Sequence, residues 1–173
     1  LKDYGYETIL SGIQHVAPQA EDIGYDQIIT TNKDYDRYTR VCEDGSYWDV
    51  ENSNNAAEFI TEWAGDKFFL SMGLYNTHRV FPEVDDSINP DFVKAPYTMP
   101  DTAENREDWA KFLSSAKLAD RCIKKVIDAL KAKGIYDESI IIYTTDHGIA
   151  FPNMKCNLYD AGTGVALMVK YPD

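Results

Sequence analysis

The sequence predicts an α/β fold, in which a layered and largely parallel or mixed sheet is flanked by helices. Two continuous apolar runs, residues 67–74 and 139–145, have the length of strands that are buried on both faces of such a sheet. Between them, residues 102–133 place apolar side chains every three or four positions, which is typical of a helix. This alternation of helix and strand favours parallel layering.

The remaining elements are predicted from shorter patterns. A strand is expected within residues 5–16, and residues 17–52 are polar and rich in turn formers. A helix is predicted over residues 53–64, with Ser53 as its amino-terminal cap. Residues 80–101 contain four of the seven prolines and are expected to form an irregular loop.

The long helix carries boundary signals of its own. Asp101 and Glu104 have the spacing of a capping box, and Gly134 is expected to end the helix in a left-handed conformation. Cys122 falls on the apolar face and is predicted to be buried. A last strand is predicted over residues 165–171.

Composition excludes several classes of protein. The chain has 173 residues, enough for one domain, and is 44% hydrophobic and 27% charged, as globular domains are. Its net charge of -12 argues against a nucleic-acid partner, and no apolar run approaches the roughly 18 residues of a membrane span. Cys42, Cys122 and Cys156 show no CxxC spacing, which argues against a disulfide framework or a zinc knuckle. Oligomeric state has no signal in the sequence.

Two metal-capable side chains, Asp146 and His147, directly follow the second apolar strand. In α/β sheets ligands bind outside the carboxyl ends of strands, and carboxylate oxygen and imidazole nitrogen both bind metals. Gly148 lets the chain turn away and keeps the approach open. The structural alternative, that Asp146 caps a turn and His147 is an ordinary surface residue, stays open.

Several basic side chains follow strands in the same way. His78 and Arg79 come after the first apolar strand and suit an oxyanion, the alternative being a loop salt bridge and a histidine bonded to backbone. His15 follows the first short strand, and Lys155 lies in a loop after Asp146; each has an ordinary structural or solvated alternative. Because all three histidines of the chain follow predicted strands, one sheet edge would collect them.

Four pieces of the sequence, taken in order, resemble the sulfatase family of the alkaline-phosphatase-like superfold. They are Gly5-Tyr6-Glu7-Thr8 with Gly12 and His15, the strand before His78-Arg79, the long helix, and Ile141-Ile142-Tyr143-Thr144-Thr145-Asp146-His147-Gly148. The following run, with Phe151-Pro152, Lys155 and Asn157-Leu158-Tyr159, is most similar to heparan N-sulfatases (sulfamidases). The resemblance implies that residues 1–173 are the central part of one longer catalytic domain.

The resemblance implies a partial metal site. The family holds one divalent cation, usually calcium, between two early acidic residues and a late Asp-Asn or Asp-His pair, which Asp146 and His147 match. A nitrogen ligand can shift the preference towards zinc or manganese. Neither the early acidic pair nor the Cys/Ser-x-Pro-x-Arg segment that becomes formylglycine is present, and both are expected upstream of Leu1.

The resemblance also implies substrate contacts. His15 matches a histidine that contacts the nucleophile, and His78 one that contacts sulfate and helps the leaving group. Lys155 occupies the position of a cation on the sulfate, and Arg79 that of a lesser contact. Ile13 replaces a lysine of the family, and losing one oxyanion contact costs a few kcal/mol of transition-state binding.

These expectations describe a fragment of a sulfuric ester or sulfamate hydrolase that acts on a sulfated small molecule or glycan. The isolated chain is predicted to be inactive, because it offers no activated nucleophile. The family resemblance suggests an extracytoplasmic compartment. Two alternatives stay open: a zinc-dependent phosphodiesterase or phosphonate hydrolase of the same superfold, favoured by the Asp-His pair, and a non-catalytic sulfatase-like binding protein, favoured by Ile13.

Overall fold

A computed structural model describes residues 1–31 and 46–172, with only the backbone described for Ser46. In these residues the chain forms helices and strands of an α/β fold, as the sequence predicts. Cys42 and the turns predicted for residues 32–45 lie outside the described part. Short 3-10 helices cover Lys2–Tyr4, Ala20–Ile23 and Pro90–Phe92, the last of them within the loop predicted to be irregular.

Among the described residues, strand β1 (Tyr6–Gly12) is the centre of a three-stranded parallel sheet. It pairs with β2 (Gln27–Ile28) on one side and with β3 (Lys67–Gly73) on the other. Gly12 and Gly73 face each other where β1 and β3 end, and a Cβ atom on Gly12 would lie 2.0 Å from the Gly73 carbonyl oxygen. Only glycine permits so close an approach of two strands.

Helix α1 (Ser46–Glu62) begins earlier than the sequence predicts. Ser53 therefore lies inside the helix, where its hydroxyl donates to the Val50 carbonyl at 2.8 Å, and its predicted role as cap is wrong. The first turns of α1 contain polar residues, such as Asp49 and Asn52, and from the sequence this stretch is expected to be a polar, turn-rich segment. In the structure both are fully buried. Their hydrogen bonds to other segments make that burial possible.

Helix α2 (Ala103–Lys133) is the long helix that the sequence predicts, but its cap is one residue later. The Thr102 hydroxyl accepts the Asn105 backbone N–H at 3.3 Å, so the predicted cap at Asp101 is wrong. Asp101 instead pairs with Arg106 at 2.6 Å, and this guanidinium lowers the pKa of Asp101 to about 2. An arginine within reach offers the carboxylate a stronger partner than a backbone amide does.

The core of the described residues lies between α1, α2 and β3. Ile60, Ala129 and Leu130 are its buried centre. Cys122 is 1% exposed, as predicted, and burial raises the pKa of its thiol. Gly134, with a φ of 80°, ends α2 as predicted.

Strands β4 (Ile141–Thr144) and β5 (Leu167–Lys170) form a separate antiparallel pair, and the short helix α3 (Asp160–Thr163) precedes β5. The described strands therefore form one parallel sheet, of β1, β2 and β3, and one antiparallel sheet, of β4 and β5. Burial of the apolar runs on both faces is wrong for this part of the chain. Phe69 is 40% exposed and Ile142 is 64% exposed, because no described element packs over these side chains.

Candidate functional site

The loops with the predicted site residues leave the carboxyl ends of three strands. His15 follows β1 and His78 follows β3, and these strands are parallel neighbours, so both loops leave the same sheet edge. Asp146 and His147 follow β4, which pairs with β5. The prediction of one shared sheet edge is therefore confirmed for His15 and His78 and is wrong for His147.

Arg79 connects the loop after β3 with the loop after β4. Its Nε donates to the Ala150 carbonyl at 2.8 Å. Its two terminal nitrogens donate to both carboxylate oxygens of Asp108 on α2, at 2.9 and 2.5 Å. Three of the five guanidinium donors are thus bonded to two other segments, the loop after β4 and helix α2, so Arg79 connects both of them to the loop after β3.

Aromatic rings complete the surroundings of this guanidinium. The Arg79 guanidinium carbon lies 4.5 Å from the ring centroid of Phe81 and 4.7 Å from that of Phe151. Phe81, Phe151 and Met154 form a buried cluster, against which Trp109 and Phe112 of α2 pack. Through this aromatic cluster the loop after β4 packs against the loop after β3, although β3 and β4 do not pair with each other.

The contacts of Arg79 and His78 match the structural alternative for this pair. Arg79 makes a loop salt bridge, and the Nδ1 atom of His78 contacts the backbone carbonyl of Arg79. The His78 ring is exposed and its centroid lies 5.2 Å from that of Tyr75. A substrate contact by Arg79 stays a prediction, as does the sulfate contact of His78.

Asp146 and His147 present one oxygen and one nitrogen to the same point. The Oδ2 atom of Asp146 lies 3.3 Å from the Nε2 atom of His147, and the Asp146 side chain is 83% exposed. The Nδ1 atom of His147 lies 2.7 Å from the Gly148 carbonyl oxygen. A carbonyl only accepts, so Nδ1 carries the proton and Nε2 keeps its lone pair in the neutral ring. These two donor atoms fit one divalent cation as part of a larger set.

Close backbone packing shapes the loop that carries this pair. A Cβ atom on Gly148 would lie 1.9 Å from the Ala161 carbonyl oxygen, and the Gly148 N–H donates to the Gly162 carbonyl at 2.9 Å. Glycine at position 148 thus lets α3 lie directly against the chain after the metal-capable pair. The sequence predicts an open turn here, and the structure adds this packing requirement.

Lys155 lies in the same loop and is half-buried. Its backbone N–H donates to the Ile149 carbonyl at 3.0 Å. Its ammonium group makes no hydrogen bond or ion pair with residues 1–31 or 46–172. A lysine whose stem is partly covered and whose charge is unpaired there suits an anion, and the predicted sulfate contact stays a prediction.

A buried polar network, which the sequence does not reveal, anchors the end of β3. Asp49 of α1 accepts the backbone N–H groups of Tyr75 and Asn76 at 2.7 and 2.8 Å, and the Asn76 side-chain amide at 2.6 Å. The hydroxyl of Ser115 on α2 donates to the Asn76 side-chain oxygen at 2.6 Å. Asn76 directly follows a predicted strand, but its partners are 27 and 39 residues away.

A second anchor holds the loop of residues 80–101 to α2. Asp85 accepts from Lys117 at 2.8 Å and from Arg121 at 3.2 Å. The Lys117 ammonium holds the pKa of Asp85 well below its usual range. Phe81 and Met99 of the same loop also pack in or against the aromatic cluster.

Two side chains are too few to make a complete metal site. In the described ranges, no group of three or more His, Cys, Asp or Glu side chains has an arrangement that could hold a metal ion. Calcium takes about six to eight oxygen ligands, and zinc about four ligands. Asp146 and His147 therefore need further ligands from elsewhere.

Comparison with known families decides the relationship. The sulfatase family model matches residues 1–173, which is the whole chain. The chain belongs to the sulfatase family. Its similarity to human N-sulphoglucosamine sulphohydrolase is 33% identity over 81 residues, which is 47% of this sulfatase chain and 16% of the human protein.

Two solved structures share the fold of this sulfatase chain. A Bacteroides thetaiotaomicron VPI-5482 protein assigned as a sulfatase aligns with a TM-score of 0.66 at 16% identity, covering 98% of this chain and 45% of its own. A 2-O GAG sulfatase aligns with a TM-score of 0.62 at 16% identity, covering 99% of this chain and 45% of its own. The chain thus spans less than half of each relative. None of its described helices is both long and apolar enough for a membrane span.

Proposed function

We propose that this chain supplies part of the divalent-metal and sulfate site of a sulfuric ester or sulfamate hydrolase. One observation carries the proposal: Arg79 joins the loop of His78 to the loop that begins with Asp146 and His147. Side chains with different chemical roles are thereby held on linked loops outside strand ends, where α/β proteins bind ligands. Family membership supports the reaction class.

In this proposal Asp146 and His147 bind the cation through Oδ2 and Nε2, which lie 3.3 Å apart. When bound, a divalent cation screens the charge of a sulfate group and polarises its oxygen atoms. The hydrogen bond between His147 Nδ1 and the Gly148 carbonyl fixes the ring so that Nε2 faces Asp146. We propose calcium, with zinc or manganese as alternatives because one ligand is nitrogen.

The remaining residues act on the anion. His78 is exposed at the carboxyl edge of β3, and it contacts the sulfate and supplies a proton to the leaving group. Lys155 places its ammonium on a sulfate oxygen, and Arg79 holds the two loops in place with at most a minor substrate contact. His15 lies at the end of neighbouring β1 and contacts the nucleophile, a formylglycine outside these residues.

The names of the relatives suggest the substrate class. One relative is named for N-sulphoglucosamine and another as a 2-O GAG sulfatase. We therefore propose a sulfated glycan or a sulfated small molecule as substrate, and an extracytoplasmic compartment. Whether the bond cleaved is a sulfate ester or a sulfamate is decided by assaying both substrate types on the longest form of the protein.

Metal titration of this chain is the direct test. Isothermal calorimetry with CaCl2, ZnCl2 and MnCl2 is expected to show weak binding of one cation per chain, and Asp146→Asn is expected to remove it. Asp137→Asn is the matched control. It also neutralises an exposed aspartate, but Asp137 precedes β4 and lies outside the proposed site. Equal binding by Asp146→Asn and the parent chain would refute the metal assignment.

Turnover is the second test. The chain is expected to hydrolyse neither an aryl sulfate nor a sulfamate, with or without calcium, because it contains no activated nucleophile. Clear turnover by the purified chain, above that of a His78→Gln variant, contradicts the proposal that the nucleophile lies elsewhere.

One observation favours a second candidate. An oxygen–nitrogen pair such as Asp146 and His147 also suits zinc, as in a phosphodiesterase or phosphonate hydrolase of the same superfold. The discriminating residue is the nucleophile: Cys or Ser in a Cys/Ser-x-Pro-x-Arg segment indicates a sulfatase, whereas Thr or Ser outside such a segment indicates the alternative. A non-catalytic binding protein, suggested by Ile13, predicts no defined metal stoichiometry in the same titration.

A further inference from the structure

The carboxylate of Asp49 is fully buried, although it lies on a helix and outside the proposed metal and sulfate contacts. A buried carboxylate is costly unless several donors compensate for the water that it loses. The donors to this carboxylate include two consecutive backbone N–H groups at the end of β3, those of Tyr75 and Asn76, together with the Asn76 amide. The Asp49 carboxylate therefore bonds directly to the short segment that leads to His78.

We propose that Asp49 is a positioning residue for His78. This inference rests on the proposed function for the role of His78 itself. Tyr75 transmits the effect, because the His78 backbone N–H donates to the Tyr75 carbonyl at 2.7 Å and the two rings lie 5.2 Å apart. Asp49 accepts a hydrogen bond from the Tyr75 N–H, and Tyr75 in turn contacts His78 through its own carbonyl and ring.

Asn76 is held from two sides, which makes the position of this segment specific. Asp49 of α1 accepts from its amide nitrogen, and Ser115 of α2 donates to its amide oxygen. The side-chain orientation of Asn76 is therefore determined at both ends. The two helices that pack on the sheet thus fix the same point of the chain, two residues before His78.

The charge of Asp49 matters because the groups of Tyr75 and Asn76 that contact it are all hydrogen-bond donors. The Oδ1 atom accepts one N–H, and the Oδ2 atom accepts two donors of Asn76. An asparagine at position 49 has the same shape but carries one NH2 group. In either amide orientation that NH2 group faces a donor, so at least one buried N–H group loses its partner.

The three histidines of the chain permit a site-specific readout. Heteronuclear 1H–13C correlation spectra of the imidazole Cε1–Hε1 groups give one signal for each of His15, His78 and His147. In Asp49→Asn we expect the His78 signal to move by more than its linewidth or to split into several conformers. The His147 signal is expected to stay in place, because its loop is held through Arg79 and the aromatic cluster.

Two further variants separate positioning from loss of stability. Ile60→Val removes a buried methyl group from the same helix, and it is expected to lower the melting temperature while leaving all three histidine signals in place. Ser115→Ala keeps the carboxylate and removes only the second hold on Asn76. It is expected to move the His78 signal less than Asp49→Asn does, and it decides the question if Asp49→Asn does not fold.

The proposal is overturned if the His78 signal of folded Asp49→Asn coincides with that of the parent chain. If Asp49→Asn does not fold, an unmoved His78 signal in Ser115→Ala overturns it. It is also overturned if Ile60→Val moves the His78 signal as far, since Asp49 would then act only through stability. These spectra need neither metal nor substrate. A chain that binds no cation would thus defeat the proposed function without changing this readout, and an unmoved His78 signal would leave the metal titration intact.

Discussion

Replacing Arg79 by alanine removes the bridge between the loops after β3 and β4. Its ion pair with Asp108 is bidentate, but the two side chains are 39% and 36% exposed, so solvent screening limits the pair to about 1 kcal/mol. The hydrogen bond to the Ala150 carbonyl contributes about 1 kcal/mol more. The contacts with Phe81 and Phe151 contribute about 0.5 to 1 kcal/mol each. We therefore expect Arg79→Ala to lower the free energy of unfolding by about 3 kcal/mol.

Lysine at position 79 tests whether the shape of the guanidinium matters. Arg79→Lys keeps the positive charge but cannot donate to Asp108 and Ala150 in the same planar arrangement. It is expected to recover about half of the loss, so that the free energy of unfolding is about 1.5 kcal/mol lower than in the parent chain. Urea denaturation followed by tryptophan fluorescence measures both variants, because Trp109 packs against the same aromatic cluster.

A second arginine–aspartate pair provides the matched control. Arg121 bonds Asp85 through one contact at 3.2 Å and is 53% exposed, so Arg121→Ala is expected to cost at most about 0.5 kcal/mol. Hydrogen exchange adds a local readout, since the amides of residues 148–157 are expected to exchange faster in Arg79→Ala. The bracing role is refuted if Arg79→Ala costs no more than Arg121→Ala and leaves those amides protected.

Three further predictions concern other parts of the chain. Gly148→Ala is expected to cost about 1 to 3 kcal/mol in urea denaturation, because its Cβ atom would lie 1.9 Å from the Ala161 carbonyl oxygen. Hydrogen bonds from Lys2 and Thr8 lower the pKa of Asp26 to about 2 from 3.8. The folded pKa is the lower one, so this stabilisation is present above about pH 4 and is lost as the pH falls towards 2. In Asp26→Asn we expect the free energy of unfolding to fall less steeply with pH between about pH 4 and pH 2. Peptide-level mass spectrometry after iodoacetamide is expected to find exposed Cys156 labelled quickly and Cys122 slowly, since burial raises the pKa of the Cys122 thiol.

Each of these three predictions would be contradicted by one specific result. A Gly148→Ala chain as stable as the parent would show that α3 can move away without cost. An unchanged acid transition in Asp26→Asn would show that its hydrogen bonds are absent in solution. Equal labelling of the two cysteines in the native chain would contradict the burial of α2 against α1.

The local elements follow from the sequence because their signals are local. The apolar period of α2 and the left-handed Gly134 that ends it depend on residues within a few positions of each other. The strands β1 and β3 likewise appear where short β-rich runs occur. Because parallel neighbours end at the same edge, the shared location of His15 and His78 could also be inferred before the structure.

The first turns of α1 show where sequence patterns fail. Asp49 and Asn52 are polar, and in a local reading polar residues belong to the solvated side of a loop or helix. Whether they are buried depends on donors and acceptors that other segments bring to them, such as the N–H groups that follow β3. The sequence therefore predicts too short a helix and gives no sign that Asp49 is buried.

The sequence by itself determined the main helices and strands and the resemblance to the family, and it supplied the residues that we propose bind a cation or an anion. The tertiary structure alone decided that Arg79 braces two loops, that β4 pairs with β5 outside the parallel sheet, and that Asp49 anchors the segment before His78. The physical reason is range. Periodicity and capping act over a few residues, whereas Arg79 meets Asp108 across 29 residues and Ala150 across 71. Such pairs become neighbours only when the whole chain has packed.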